Sequence, residues 1–491
     1  MGQLYRKLEE YGKNGNYPYH MPGHKRRQMG DLPGEIVKID ITEIGDFDNL
    51  HDPRGILKTL QERAAVLYGA EESFYLVNGS TGGILSAVSA AVPQGGHILM
   101  ARNCHKSAYH AAYLRNLKIS YLYPSLLPGY DIYDAVTPRQ VEEGLERDSQ
   151  ISAVLLVSPT YEGRIADVKT IAEIVHKRGI PLIVDEAHGA HLGFSEYFAP
   201  NSCSCGADLV IHSVHKTLPA LTQSALLHVN GSRIDRDKLR RFLHIYQSSS
   251  PSYVLLAGID DALEIVERKG RELFSEFARQ YFQMEERLSQ CRCLQWISAK
   301  GDGRQDIGKL VISTRKTELS GQDLYDILIQ KYNLQLEMAE GSYCLAMFTA
   351  ADPAEAYERM TAALLEIDSQ LAAAYEQKEK RPEETRPPEE HGSLAEHRPP
   401  GESGLPENSG GVIPLTRAWD MKAKLIPLEA SRGKAAAEFI NLFPPGIPIL
   451  VPGEQISEEA YRRIRLCLEQ GLTVQGIVGR GKSYQIKVLD I

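Results

Sequence analysis

Two adjacent side chains in "DLVIHSVHKTLPALTQ" (208–223) call for a chemical explanation. Lys216 follows His215 at the end of an apolar, β-branched run that reads as a buried strand. Drawing an ammonium group out of water lowers its pKa, so a lysine placed there can act as an amine nucleophile toward a carbonyl. A second such run, "PLIVDEAHGAH", ends in Asp185, with Ala187 and His188 just beyond it. "LVNGSTGG" sets Ser80 and Thr81 in a strand, Gly-rich turn and helix start, where backbone N–H groups and hydroxyls can cradle a phosphate. "RNCHKS" offers His105, a flat ring suited to stacking.

Each of these has a plainer reading alone. A Gly-Ser-Thr turn is usually only a turn, and an acid at a strand end is usually a satisfied strand end. Their joint order across one frame is more specific. An aldehyde is the natural target of the lysine, and pyridoxal phosphate needs three further things: an anion for its ring nitrogen, a cradle for its phosphate and a surface for its ring. Asp185, the 78–83 turn and His105 supply residue types that answer each need.

The elements that must position these groups alternate. "SFYLV", "HILMA", "KISYLYP", "AVLLVSPT", "PLIVDEAH" and "DLVIHSVHK" read as strands, with helical stretches such as 84–92 and 168–178 between them. Near-continuous Val/Ile/Leu runs predict strands buried on both faces, hence an α/β fold with a mostly parallel sheet. Ligands then bind beyond the carboxyl ends of the strands, where every polar group named above lies. A long charged helix is predicted from about Phe274, followed by shorter strands "KLVIST" and "SYCLAMF" that read as a smaller α+β domain. The segment 376–411 carries six prolines and almost no apolar residues, so it cannot offset its ordering entropy and reads as a disordered linker. The predicted organisation is an N-terminal arm (1–50), a large α/β domain (51–273), a small α+β domain (274–375), the linker, and an α+β tail domain (412–491).

Composition excludes several classes. The net charge of −9 argues against nucleic acid as partner. No apolar run reaches membrane-spanning length, and no signal-peptide core follows the N-terminus. The seven cysteines lack zinc-site spacing and read as reduced thiols of a cytoplasmic protein, with no metal.

The sequence resembles the prokaryotic ornithine/lysine/arginine decarboxylases of the type I pyridoxal-phosphate-dependent fold. "YHMPGHK", "LHDPRG", "LVNGSTGG", "RNCHKSAYHA", "PTYEG", "VDEAHGAHLGF", "SVHK…LTQ", "SSSPSYVLLAGID" and, in the tail, "FPPGIPILVPGE" carry the resemblance. These stretches span nearly the whole chain outside the linker. No flavodoxin-like domain fits before "YHMPGHK", which is similar to the shorter form of the family. One departure is Leu218-Pro219 after the lysine, where the family favours small residues.

The resemblance implies roles. Lys216 would join the cofactor's aldehyde, and Asp185 would keep the ring nitrogen protonated. His105 and Ala187 would cover the two ring faces; Ser80, Thr81, Ser213 and His215 would bind the phosphate. His188 would lie near the cofactor's phenolic oxygen or the substrate carboxylate. It further implies a homodimer or dimer of dimers with shared active sites, the "LTQ" or "SSSPSY" loops reaching the partner, and amine products of the kind used in polyamine biosynthesis. The predicted reaction is decarboxylation of a basic amino acid, arginine before lysine and ornithine. Another type I reaction, such as aminotransfer or aldol cleavage, and a non-catalytic relative stand as alternatives. A distal ammonium or guanidinium needs an acidic partner, and Glu43, Asp46, Asp48 and Asp52 form the candidate cluster. His20, His51 and His110 read as structural.

Overall fold

The computed structural model describes residues 2–301, 303–379, 413–442, 446–479 and 483–491. Seven strands form the central sheet: β1 (Glu72–Leu76), β2 (His97–Ala101), β3 (Lys118–Leu122), β4 (Ile151–Val157), β5 (Leu182–Asp185), β6 (Leu209–Ser213) and β7 (Ala225–Val229). Their order across the sheet is β1-β7-β6-β5-β4-β2-β3. β2, β3, β4, β5 and β6 pair in parallel, whereas β7 runs antiparallel to both β1 and β6. The sheet is therefore mostly parallel, as predicted, with one reversed strand. β2, β5, β6 and β7 are buried at every position, while the edge strand β3 is largely half-exposed.

The reversal places the start of β7 beside the ends of β1 and β6. Ala225 pairs with both Leu76 and Ser213. Gln223 and Ser224, just before β7, thus return to the edge where the parallel strands end.

The long helix begins earlier than predicted, at Tyr253, and runs to Leu288. Its first turns, "YVLLAGIDDALEIV", are mostly buried and carry few charges, so a charge pattern marks only the later part. The boundary expected at 273/274 falls inside this helix. It packs against the N-terminal helix Gln3–Lys13, whose Leu4 and Leu8 are fully buried.

Four antiparallel strands follow: β8 (Gln295–Trp296), β9 (Lys309–Ser313), β10 (Met338–Glu340) and β11 (Tyr343–Met347), ordered β10-β11-β9-β8. The last helix before the tail, Ala354–Glu379, continues past the boundary expected at 375. From Lys380 the predicted linker lies outside the described residues. The tail, from Ile413, builds two three-stranded sheets and the helix Glu458–Glu469 around Leu428, Ile440, Leu450, Ile464 and Ile486.

Candidate active site

The nine residues singled out in the sequence all stand at the carboxyl-end edge of the central sheet. Ser80 and Thr81 follow β1, in the first turn of the helix Gly79–Ala91. His105 follows β2, Asp185 ends β5 with Ala187 and His188 beyond it, and Ser213 ends β6. β6 passes directly into the helical turn Val214–Thr217, which carries His215 and Lys216. The Leu218 side chain is buried and its N–H closes this turn on the Val214 carbonyl, so the departure after the lysine is accommodated by packing.

His188 is the centre of the arrangement. Its Nε2 lies 3.0 Å from Lys216 Nζ and its Nδ1 lies 2.9 Å from Lys309 Nζ. Lys309, at the start of β9, is fully buried. Burial, aided by both ammonium groups, holds His188 well below the usual imidazole range, so it is neutral. A neutral imidazole has one N–H and one lone pair. One lysine can therefore donate as an ammonium while the other accepts as an amine. Burial lowers both lysines, Lys309 to about 8. For Lys216, the fields of Asp185 and Glu337 oppose that lowering.

Asp185 is buried, and its Oδ1 accepts from the Ala187 N–H at 3.2 Å. Burial raises its pKa and Lys216 opposes the rise. His105 caps the helix Lys106–Leu114: its Nδ1 accepts from Ser107 N at 3.2 Å, which leaves the proton of the neutral ring on Nε2. Burial, with Lys216 nearby, brings His105 down to about 4. A methyl group added to Gly446 of the tail would sit 3.8 Å from the His105 ring, so the tail backbone closes over this histidine. Phe443, Pro444 and Pro445 of the same loop lie outside the described residues. Beside the Gly-rich turn, His215 Nδ1 donates to the Ser224 carbonyl at 2.9 Å, and Gly79 N–H donates to the Gln223 carbonyl at 3.0 Å. The "LTQ" loop thus braces the Gly-rich turn of its own chain.

Three of the four acids near residue 48 are engaged elsewhere. Asp48 accepts N–H bonds from Arg54, Gly55 and Leu57 and anchors the start of the helix Ile56–Tyr68. Asp46 pairs with Lys7 and Asp52 with Arg54. The field of Glu43 acts on Tyr253. Other carboxylates surround the lysines instead. Tyr161 donates a short hydrogen bond to Glu337, and its ring meets His188 edge-on at 4.9 Å. Glu162 is buried, with its pKa raised by desolvation. Lys309, Tyr161 and Glu337 went unrecognised in the sequence; only "PTYEG" among the motifs pointed toward this corner. The structural histidines are placed as read: His20 bonds Tyr11, His51 bonds the Ser248 carbonyl, and His110 stacks on Trp419. A separate cleft of about 450 Å³, lined by His51, Glu62, Tyr75 and Arg240 among others, contains none of the residues around Lys216. Around Lys216, by contrast, a buried lysine, buried acids and the Gly-rich turn converge.

The major-domain model of the Orn/Lys/Arg decarboxylases matches residues 2–306, and their C-terminal-domain model matches 415–470. The chain belongs to the Orn/Lys/Arg decarboxylase family. A protein named arginine decarboxylase from Bacillus subtilis is 31% identical over 484 residues, covering 96% of this chain and 95% of that one. One of the same name from Halalkalibacterium halodurans is 30% identical over 96% of this chain and 94% of its own. The fold is shared with the lysine decarboxylase of Francisella novicida, at a TM-score of 0.79 and 18% identity, covering all of this chain and 81% of that one.

As in this decarboxylase family, the cofactor is pyridoxal 5′-phosphate, and the residues present fit it. Ser213 Oγ is buried with no hydrogen-bond partner among the described residues. The helix Gly79–Ala91 has no side-chain cap; the Gly79 N–H is taken by Gln223, and the first-turn N–H groups of Ser80 and Thr81 can meet an anion. Asp185 is a buried carboxylate that a protonated ring nitrogen can match.

Proposed function

We propose that this chain decarboxylates arginine to agmatine and carbon dioxide. The observation that carries the reading is the Lys216–His188 contact of 3.0 Å beside buried Asp185, at the edge where all nine predicted residues collect. When bound, the cofactor supplies an electron sink for the pair left behind as the bond from Cα to the carboxylate breaks. Lys216 would hold the cofactor through its aldehyde. Asp185 holds a proton on the ring nitrogen through a charge-assisted bond. His105 and Ala187 cover the ring faces, and Ser80, Thr81, Ser213 and His215 hold the phosphate. Lys216, with His188 3.0 Å behind it, would carry the proton destined for Cα.

Arginine is favoured over lysine and ornithine by two supports. One is likeness along nearly the full length to relatives named arginine decarboxylase. The other is Glu337, an exposed carboxylate whose field reaches Lys216 and which Tyr161 orients; it can meet a planar guanidinium in a bidentate fashion.

A homodimer with shared sites is supported by the N-terminal arm, which leaves Tyr19, Met21, Met29 and Leu32 61–91% exposed, a liability for a free monomer. Five of the seven free cysteines are buried among apolar residues, consistent with a reducing, cytoplasmic setting. No helix among the described residues is long and apolar enough to cross a membrane.

The test is incubation of the holoenzyme with carboxyl-labelled arginine, lysine and ornithine. Labelled carbon dioxide and the amine are expected, with the highest kcat/KM for arginine. A keto acid without gas release would show aminotransfer instead, and a preference for lysine would remove the substrate assignment.

A further inference from the structure

Lys309 comes from the small domain, yet it completes the row Lys216–His188–Lys309 in the large domain's site. The domain junction is built to deliver it. Ile165 N–H donates to the Arg304 carbonyl at 2.8 Å, Asp306 N–H donates to the Gly163 carbonyl at 2.9 Å, and Gln305 Nε2 donates to the Glu162 and Lys309 carbonyls. The Lys309 ammonium also lies 5.3 Å from the centre of the Tyr161 ring. No carboxylate forms an ion pair with Lys309 among the described residues. Asp306 beside it accepts from His191 at 3.0 Å and from Gly308 N–H at 2.9 Å. The charged groups that act on Lys309 are Asp306 on its own segment, Glu162 beyond β4, Glu337 before β10 and Lys216 beyond β6. Burying a cation without an ion partner is costly, so a purely structural role would be better served by an apolar side chain.

We propose that Lys309 is a positioning residue: as the ammonium that remains once Lys216 is joined to the cofactor, it donates to His188 Nδ1 and thereby fixes the His188 N–H on Nε2, facing the Lys216 nitrogen. With Nδ1 occupied, the neutral ring has a single place for its proton. His188 then presents a donor, rather than a lone pair, to the nitrogen that must gain and release a proton during turnover. The same ammonium, ~8 Å away across the ring, disfavours positive charge on that nitrogen; at an effective dielectric constant of ~20 this moves a titration midpoint by about 1.5 pH units.

The inference rests on Lys216 being the lysine that takes the aldehyde, and the experiment separates the two. The long-wavelength absorbance band of substrate-free holoenzyme is followed from neutral to strongly alkaline pH in the wild type, K309M, K309Q and K309R. The midpoint of K309M is expected about 1.5 pH units above the wild type, and that of K309R close to the wild type. K309Q serves in place of K309M if the latter does not retain cofactor. Superimposed wild-type and K309M curves, no transition in either, or K309R moving as far as K309M would each overturn the role of Lys309. Borohydride reduction and peptide mapping identify the linked lysine in every protein. Linkage to a lysine other than Lys216 overturns the site reading and this inference together, whereas linkage to Lys216 with superimposed curves overturns only the latter.

Discussion

Arg102 and Glu454 form a fully buried ion pair, Nη2 to Oε2 2.8 Å, across 352 residues of sequence. Arg102 lies just beyond β2, three residues before His105, and also donates to the carbonyls of Pro448 and Ile449. The pair therefore ties the tail loop bearing Gly446 to the segment that carries His105.

Breaking that tie has a definite consequence. Glu454→Ala leaves a buried guanidinium unpaired, which costs roughly 3–5 kcal/mol. A marked drop in thermal midpoint is expected, with turnover falling as Gly446 leaves His105. Replacing both residues by methionine should recover most of the stability, because an apolar pair needs no mutual neutralisation. Unfolding curves for the single and double variants decide; an E454A midpoint equal to wild type would mean the pair does not hold the tail.

Asp185→Asn keeps the shape of the side chain and removes its charge. Cofactor binding should persist while kcat falls ~10²-fold or more, the scale of losing a charge matched to the transition state. Absorbance of the bound cofactor and steady-state rates measure the two effects separately. A near-wild-type kcat would take Asp185 out of the mechanism.

Gly163 in "PTYEG" adopts φ +96°, and a Cβ there would lie 2.7 Å from Lys309 Cβ, Lys309 Cγ and Gln305 Nε2. Gly163→Ala thus meets both backbone strain and a clash with the very side chain that contacts His188. A loss of about 10²-fold in kcat/KM is expected, the scale of misplacing a group at a reacting centre by about 1 Å. Kinetics together with a circular dichroism spectrum distinguish this from unfolding; full activity in G163A would show that the junction yields without disturbing Lys309.

A buried polar row predicts the pH dependence of stability. Glu186 lies 3.3 Å from His212 Nε2, His212 Nδ1 lies 3.0 Å from His228 Nε2, and His228 Nδ1 lies 2.6 Å from Ser73 Oγ. Burial pushes Glu186 up to about 8 from an ordinary 4.5, and brings His212 down to about 3 from 6.5. The folded protein binds the Glu186 proton more tightly than the unfolded chain does, so Glu186 lowers stability as pH rises between 4.5 and 8. His212 acts in the opposite sense, raising stability with pH between 3 and 6.5. Above 6.5 only the Glu186 effect remains of the two, a loss of about 2 kcal/mol by pH 8. Denaturation midpoints should fall across that window in the wild type and stay level in E186Q. A flat wild-type profile would mean that Glu186 does not hold its proton when folded.

The residues of the cofactor site were legible because their chemistry is local. An acid, a lysine or a Gly-rich turn at the end of an apolar strand is polar where the run before it is buried, and a parallel sheet carries all such ends to one edge. Lys216, Asp185 and the 78–83 turn are marked by strand ends and residue types alone, whereas a role for Ser213 follows only from the family resemblance. What lay beyond reach depended on packing between segments distant in the chain. Asp48 and its acidic neighbours have the composition of a cation site, but whether a carboxylate faces a ligand or caps a helix depends on where the helix Ile56–Tyr68 begins in space. Lys309 opens an ordinary apolar strand and becomes part of the site only because the 163–165 segment docks the small domain against it. Glu454 and Arg102 likewise carry no local sign of each other. Sequence periodicity reports which side of an element is buried; which distant charge meets it is decided by the tertiary fold, since the Coulomb and desolvation energies that single out these partners act only once the intervening water has been removed.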